Sequence, residues 1–249
     1  MLIGFLVSLD GAESRAEGGV ETARLKRHSA LYTPDYDLVD RKVADLSRAR
    51  AGEADDSGWI VTADSFRIDP GSYVLALRLV DPVSKNEGSF KAPVSVPSFA
   101  GDSIRISDIV FADDIGSEDR GQGGFARGTY RIVPRPIRVF GMDERVRIYF
   151  EVYNISTDAD GRGRYEVEYT LFGTKAGRGA SFFGGSHEGK LELGISEPYQ
   201  TQSAGPPASR HITFDVSTLP DDRYTLTVDV TDLSNGSADR ATAQFVVKR

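Results

Sequence analysis

His28, His187 and His211 are the residues of this chain best suited to moving protons or holding a metal ion, and they lie far apart in sequence. None stands in an HExxH or other paired-ligand spacing, so no helix face offers two imidazoles to one ion. Ser186-His187-Glu188 has the residue types of a nucleophile relay. Consecutive side chains point different ways, however, and cannot pass a proton along a line. No GxSxG elbow occurs either. The glycine runs GQGG at 121–124 and FFGGS at 182–186 lack the GK[ST] that completes a phosphate loop. Both read as Gly-rich connections. With no cysteine in the chain, disulfides, thiolate catalysis and Cys-ligated zinc are excluded.

Carboxylates supply the strongest chemical reading. Asp113-Asp114, Glu118-Asp119, Asp158 with Asp160, and Asp221-Asp222 all fall in segments expected to be loops. Calcium requires several loop oxygens at once, so it is the one cofactor these clusters suggest. None has the DxDxDG register, and solvated acidic turns are the alternative. No other cofactor and no catalytic residue is expected. Candidate contact residues are Phe182 and Phe183, two large apolar side chains in a Gly-rich loop, together with Phe125 and the single tryptophan, Trp59.

The elements that must position these residues are strands. Among 249 residues, 26 are Gly, 11 Pro, 13 Phe and 10 Tyr, a balance that favours strands and tight turns. A net charge of −7 lacks the basic face that a general nucleic-acid binder needs. No apolar run approaches the ~20 residues of a membrane-spanning helix. Residues 2–9 are apolar but lack the preceding basic residue and the cleavage site of a secretory signal, so they read as a first strand.

Alternation predicts further strands at 20–32, 58–68, 73–80, 89–96 and 104–111. The segment 36–46 has some helical spacing, and its strand neighbours favour a strand. Residues 130–139 form a Pro-punctuated edge segment. Next come two long alternating segments, 145–155 and 164–172, joined as a hairpin by the polar turn 156–163. Strands at 190–195, 210–216, 224–230 and 242–247 complete the chain, with long loops at 112–128 and 173–209. Asn154-Ile155-Ser156 and Asn235-Gly236-Ser237 have the form of glycosylation sequons. They read as a strand end and a type I′ hairpin turn.

An internal repeat organises these strands. IDPGSYVLALRLVD superposes on LPDDRYTLTVDVTD at an offset of 151 (224 − 73), aligning Tyr73 with Tyr224 and Asp81 with Asp232. An aliphatic residue, Ile68 or Leu219, stands five positions before each tyrosine. This pattern matches the last two strands of an immunoglobulin-like sandwich, where a tyrosine hydroxyl bonds back to the preceding corner. Two copies predict an all-β chain of two tandem immunoglobulin/fibronectin-III-like sandwiches, 1–98 and 102–249. The second is enlarged by its long loops.

The run VPRPIRVFG…RVRIYFEVYNI…GRYEVEYTL resembles the β-rich region of bacterial GWxTD-domain proteins, with Tyr149, Glu151, Tyr153 and Asn154 as a Y-x-E-x-Y-N core. The preceding ISDIVFA and GSYVLALRLVD stretches fit the same picture. The resemblance covers about residues 71–172, and the naming GWxTD segment is absent, Gly58–Asp64 having its letters at another spacing. It implies a bacterial, periplasmic or envelope-associated protein and no catalytic residues. The expectation is a non-enzymatic structural or protein-interaction module that contacts protein partners through sheet edges and loop tips. The alternatives are a carbohydrate-binding or accessory β domain, with Tyr32, Tyr36 and Tyr199 as further stacking platforms, and an enzyme whose carboxylate pair is distant in sequence.

Overall fold

The computed structural model describes residues 1–9, 12–17, 20–49, 59–117, 124–174, 191–202 and 207–248. These residues form strands and turns, without a helix, and divide into two compact units, Met1–Ser98 and Phe99–Arg249.

The first unit holds β1 (Leu2–Ser8), β2 (Ser14–Glu17), β3 (Val20–Tyr32), β4 (Leu38–Ala49), β5 (Trp59–Ser65), β6 (Gly71–Val80) and β7 (Glu87–Val96). The segment with partial helical spacing is therefore a strand, β4. Two antiparallel layers face each other in a sandwich-like arrangement. One is the pair β1–β5. In the other, β3 has β4 on one side and β6, then β7, on the opposite side, with β2 on the early part of β3. Alternation explains the core between them. Phe5, Val7 and Leu9 point inward from β1 and its end, and meet Leu25, Leu31, Leu46, Phe66 and Leu75.

The second unit holds β8 (Arg105–Ile106), β9 (Val110–Ser117), β10 (Phe125–Arg127), β11 (Tyr130–Pro134), β12 (Val139–Phe140), β13 (Arg145–Tyr153), β14 (Arg162–Gly173), β15 (Leu191–Gln202), β16 (Ala208–Asp215), β17 (Asp222–Asp232) and β18 (Ala238–Val247). One sheet runs β10-β11-β9-β13-β16, with β8 also on β13. The other runs β12-β18-β17-β14-β15. Fully buried Ile148, Phe150, Val152, Val167, Leu171, Leu226, Val228 and Val230 fill the space between.

Several expectations are corrected by these pairings. β13 and β14 are not a hairpin: β13 pairs with β9 and β16, β14 with β15 and β17, and the connection between them crosses from sheet to sheet. The crossing is steered by Asn154 in the left-handed region at φ 56° and by Asp232, whose Oδ2 accepts the Ser156 N–H at 2.7 Å. The 112–128 loop is shortened from both ends, because β9 runs on to Ser117 and β10 begins at Phe125. In the same way β15 extends the 190–195 strand to Gln202. Pro198 is tolerated there because β15 is the outermost strand and its register with β14 shifts nearby. β11 is not an edge but lies between β9 and β10. Its Pro134 falls where the register shifts, so the missing N–H breaks no regular ladder. Residues 104–111 divide into β8 and β9.

The repeat extends into three dimensions. Tyr73 Oη donates to the Asp69 carbonyl at 2.8 Å, and Tyr224 Oη to the Pro220 carbonyl at 2.9 Å, each reaching back four residues. After each tyrosine strand an aspartate organises the turn. Asp81 Oδ1 accepts the Val83 N–H at 2.7 Å and Oδ2 the Glu13 N–H at 2.8 Å. Asp232 Oδ1 accepts the Ser234 N–H at 2.8 Å, while Oδ2 holds Ser156. The turns close alike, with Lys85 (φ 65°) matching Gly236 (φ 73°). Asn235 does not share the positive φ, so this Asn-Gly is not the type I′ turn its residues suggest. Asn235 instead accepts the Ser237 N–H on its side-chain oxygen at 2.7 Å.

Candidate functional site

β13 alternates strictly. Val146, Ile148, Phe150 and Val152 enter the core, which leaves Tyr149, Glu151 and Tyr153 together on the opposite face. There Glu151 is only 7% exposed. Tyr149 Oη donates to its Oε1 at 3.0 Å and Tyr153 Oη to its Oε2 at 2.6 Å. Tyr149 Oη also meets Ser209 Oγ at 2.9 Å, and Arg127 Nε lies 3.9 Å from Oε1. Ser107 brackets the backbone, its Oγ accepting the Glu151 N–H and its own N–H donating to the Glu151 carbonyl, both at 2.9 Å.

Burial pushes the phenols of Tyr149 and Tyr153 well above their ordinary range, and the adjoining carboxylate adds to the shift. Both therefore remain protonated donors. The arrangement is one carboxylate closed by its neighbours, not a pair of carboxylates flanking an opening. It also anchors the start of the unit: Phe99 stacks on Tyr153 with ring centroids 4.2 Å apart, and Asn154 Nδ2 donates to the Phe99 carbonyl at 2.8 Å.

A second polar cluster lies in the first unit. Along β3 the inward positions are Ala23, Leu25, Arg27, Ser29 and Leu31, all buried, and Arg27 is 2% exposed. Its guanidinium pairs with Asp64, donates to Thr62 Oγ1 at 2.7 Å, and lies over the Phe5 ring at 4.8 Å. Ser29 Oγ donates to the other Asp64 oxygen. Burial pulls the Arg27 guanidinium below its usual value, and Asp64 opposes that shift. The sequence did contain a signal for this cluster, in two polar residues interrupting an apolar alternation, but only packing against β5 of the facing layer supplies the carboxylate.

Among the contact candidates, Trp59 begins β5 opposite Ser8 and is 38% exposed. Phe125 is half-buried in the second unit against Ala112, Ile132 and Tyr149. The two thus belong to different units. Phe182, Phe183, His187 with its neighbours Ser186 and Glu188, and the pair Glu118-Asp119 lie outside the described residues. His28 sits on β3 opposite Val43, and the His211 ring lies 4.9 Å from Tyr130.

The remaining acidic groups have other engagements. Asp113 pairs with Arg135 at 3.3 Å from within β9. Asp158 Oδ1 accepts the N–H groups of Asp160 and Arg162 at 3.0 and 2.8 Å. Asp222, which is buried, accepts from Thr174 Oγ1 at 2.6 Å. Among the described residues no three acidic or histidine side chains converge as a metal cage.

No family model matches the chain, and no curated protein matches it. Among solved structures it is similar to a Bacteroides uniformis beta-glucuronidase and to B. uniformis beta-glucuronidase 2 covalently bound to cyclophellitol-6-carboxylate aziridine. Both show 11% identity over 98% of this chain, with TM-scores of 0.28 and 0.27. The chain spans 26% of the length of each of those proteins.

Proposed function

We propose that this chain is a non-enzymatic structural or protein-interaction module of a bacterial cell-envelope assembly, built from two immunoglobulin-like sandwiches. The observation that supports it best is how its buried carboxylates are used. Both oxygens of Glu151 are held by tyrosines, both oxygens of Asp64 by Arg27 and Ser29, and those of Asp81 and Asp232 by backbone N–H groups. Groups spent on one another brace a scaffold. A general acid or base needs an oxygen aimed at substrate. The bacterial and envelope setting comes from the resemblance to the β-rich region of GWxTD-domain proteins.

Crosslinking the tagged chain in its native envelope, followed by quantitative identification of what it captures, tests this reading. A stoichiometric protein partner with crosslinks at sheet edges or loop tips is the expected result. A partnerless monomer in the soluble fraction would overturn it. Tyr36, 63% exposed at the turn between β3 and β4, favours the alternative of a carbohydrate-binding domain, which a glycan array would reveal.

A further inference from the structure

The turn between β3 and β4 holds a tyrosine outward in a strained backbone. Thr33 N–H donates to the Asp37 carbonyl at 2.8 Å, Tyr36 N–H to the Thr33 carbonyl at 3.0 Å, and Asp37 N–H to Thr33 Oγ1 at 3.1 Å. These bonds close a three-residue loop. Pro34 and Asp35 turn the chain, and Tyr36 takes the left-handed place, φ 68°, that glycine normally fills. Lys85 and Asn154 share that backbone region, but their side chains bond back to the chain, at the carbonyls of Pro82 and Phe99. Tyr36 has no such bond among the described residues, and it is 63% exposed. A strained aromatic that braces nothing is a candidate contact.

The sheet beneath completes the surface. Leu31 and Leu75 point into the core, so Tyr32 and Val74, which pair with each other, face outward, with Pro93 beside Val74. Arg41, Ala30, Ala76 and Lys91 form the next outward row, its two small residues leaving a shallow floor between two cations. Lys91 Nζ lies 5.4 Å from the Tyr36 ring centroid, so the ring of the turn and the ammonium of β7 meet over this face. Farther along, Lys26 pairs with Asp45 and Arg78 with Glu87. The Arg41 guanidinium and the Lys91 ammonium have no carboxylate partner among the described residues. Asp35 and Asp37, both exposed, flank Tyr36 on the turn. The second unit leaves the same face open even with β9 and β12 in place. By register Phe172, Thr225 and Gln244 stand where Tyr32, Val74 and Pro93 stand, and Phe172 is 49% exposed.

Charges of both signs around one exposed ring define the ligand. A cation would meet Arg41 and Lys91, and an anion would meet Asp35 and Asp37. An apolar segment would strip water from all four without pairing them. A sugar hydroxyl both donates and accepts, so it bonds to ammonium, guanidinium and carboxylate alike. The C–H face of a sugar ring, in turn, lies well on the flat face of a tyrosine.

Resting on the carbohydrate-binding alternative, we propose that the outer face of β4-β3-β6-β7 binds a neutral saccharide chain. One ring stacks on Tyr36 with its hydroxyls on Lys91 and the turn aspartates, and a neighbouring ring lies over Ala30 and Ala76 within reach of Arg41.

Titration calorimetry of the full chain against maltohexaose, cellohexaose, mannohexaose and chitohexaose tests the proposal, with hexagalacturonate as the acidic control. Saturable binding of at least one neutral hexamer is expected, and it should hardly respond to added salt. Tyr36→Ala and Tyr36→Gly should each weaken it at least tenfold, whereas Tyr36→Phe keeps the ring and should bind nearly as well as wild type. Tyr36→Gly should melt no lower than wild type, because glycine relieves the left-handed strain, so its lost binding is not lost folding. Binding untouched by Tyr36→Ala and Tyr36→Gly would place the site elsewhere, overturning the proposal while leaving the carbohydrate reading standing. Absence of saturable binding of every neutral hexamer to the folded chain would overturn both. Tighter binding of hexagalacturonate, abolished by salt, would overturn the assignment of a neutral ligand.

Discussion

Arg27 is buried where the second unit is apolar. By strand register it corresponds to Val167, since Arg27 pairs with Leu79 and Val167 with Val230. Removing water from a guanidinium is costly, and Asp64 and Thr62 answer its charge only locally, with Ser29 donating to the other Asp64 oxygen. Asp64→Ala leaves that charge alone and should destabilise the first unit by about 3–5 kcal/mol. The double variant Arg27→Met/Asp64→Leu should be neutral or stabilising by up to roughly 4 kcal/mol. Urea denaturation followed by Trp59 fluorescence separates the two outcomes. A double variant as damaged as the single one would show that the pair is needed for packing. The tyrosine hydroxyls make a gentler test. Tyr224→Phe should cost about 1.5 kcal/mol and Tyr73→Phe about 0.5 kcal/mol, because Tyr224 is buried and Tyr73 is wetter. Equal melting temperatures for wild type and both variants would show the corner bonds to be energetically idle.

Turns set the pH response of these elements. Backbone N–H bonds, first that of Glu13, hold Asp81 below the usual carboxylate range. At Asp232 burial pushes upward, but the N–H bonds from Ser156 and Ser234 outweigh it and leave it low as well. A carboxylate lowered in the folded state stabilises above its unfolded pKa of about 3.9, and that stabilisation fades as pH falls through the folded value. Acid unfolding should therefore steepen below about pH 4. Asp81→Asn and Asp232→Asn should flatten the melting temperature over that window while lowering it at neutral pH. Unchanged steepness in both variants would locate the acid sensitivity elsewhere. The same turns explain an element misread from sequence. Two alternating segments joined by a polar turn look like a hairpin whether they pair or cross between sheets, and the bond that turns β14 away comes from Asp232, 76 residues beyond Ser156.

For the molecule as a whole, unequal cores are the governing fact. Among the described residues the main core cluster of the second unit has 22 buried members and that of the first has 9, one of which leans on a buried ion pair. Calorimetry should show a transition broader than a two-state one, with amides of β3 and β6 exchanging before those of β14 and β17. A single calorimetric transition with uniform exchange would contradict this order.

Strand content was legible in the sequence because alternation is local: inward and outward residues alternate along one segment, whatever that segment pairs with. Thus 73–80 and 224–230 announce strands, and the tyrosine four residues past each corner announces its bond. The sheet each strand joins, the crossing between β13 and β14, and the closure of Glu151 by Tyr149, Tyr153 and Arg127 were decided by tertiary structure. These depend on chain segments brought together across long sequence separations, and no local pattern encodes which segments meet. Glu151 looks solvent-facing in an alternating strand. It is buried only because β8, β10 and β16 converge over that face.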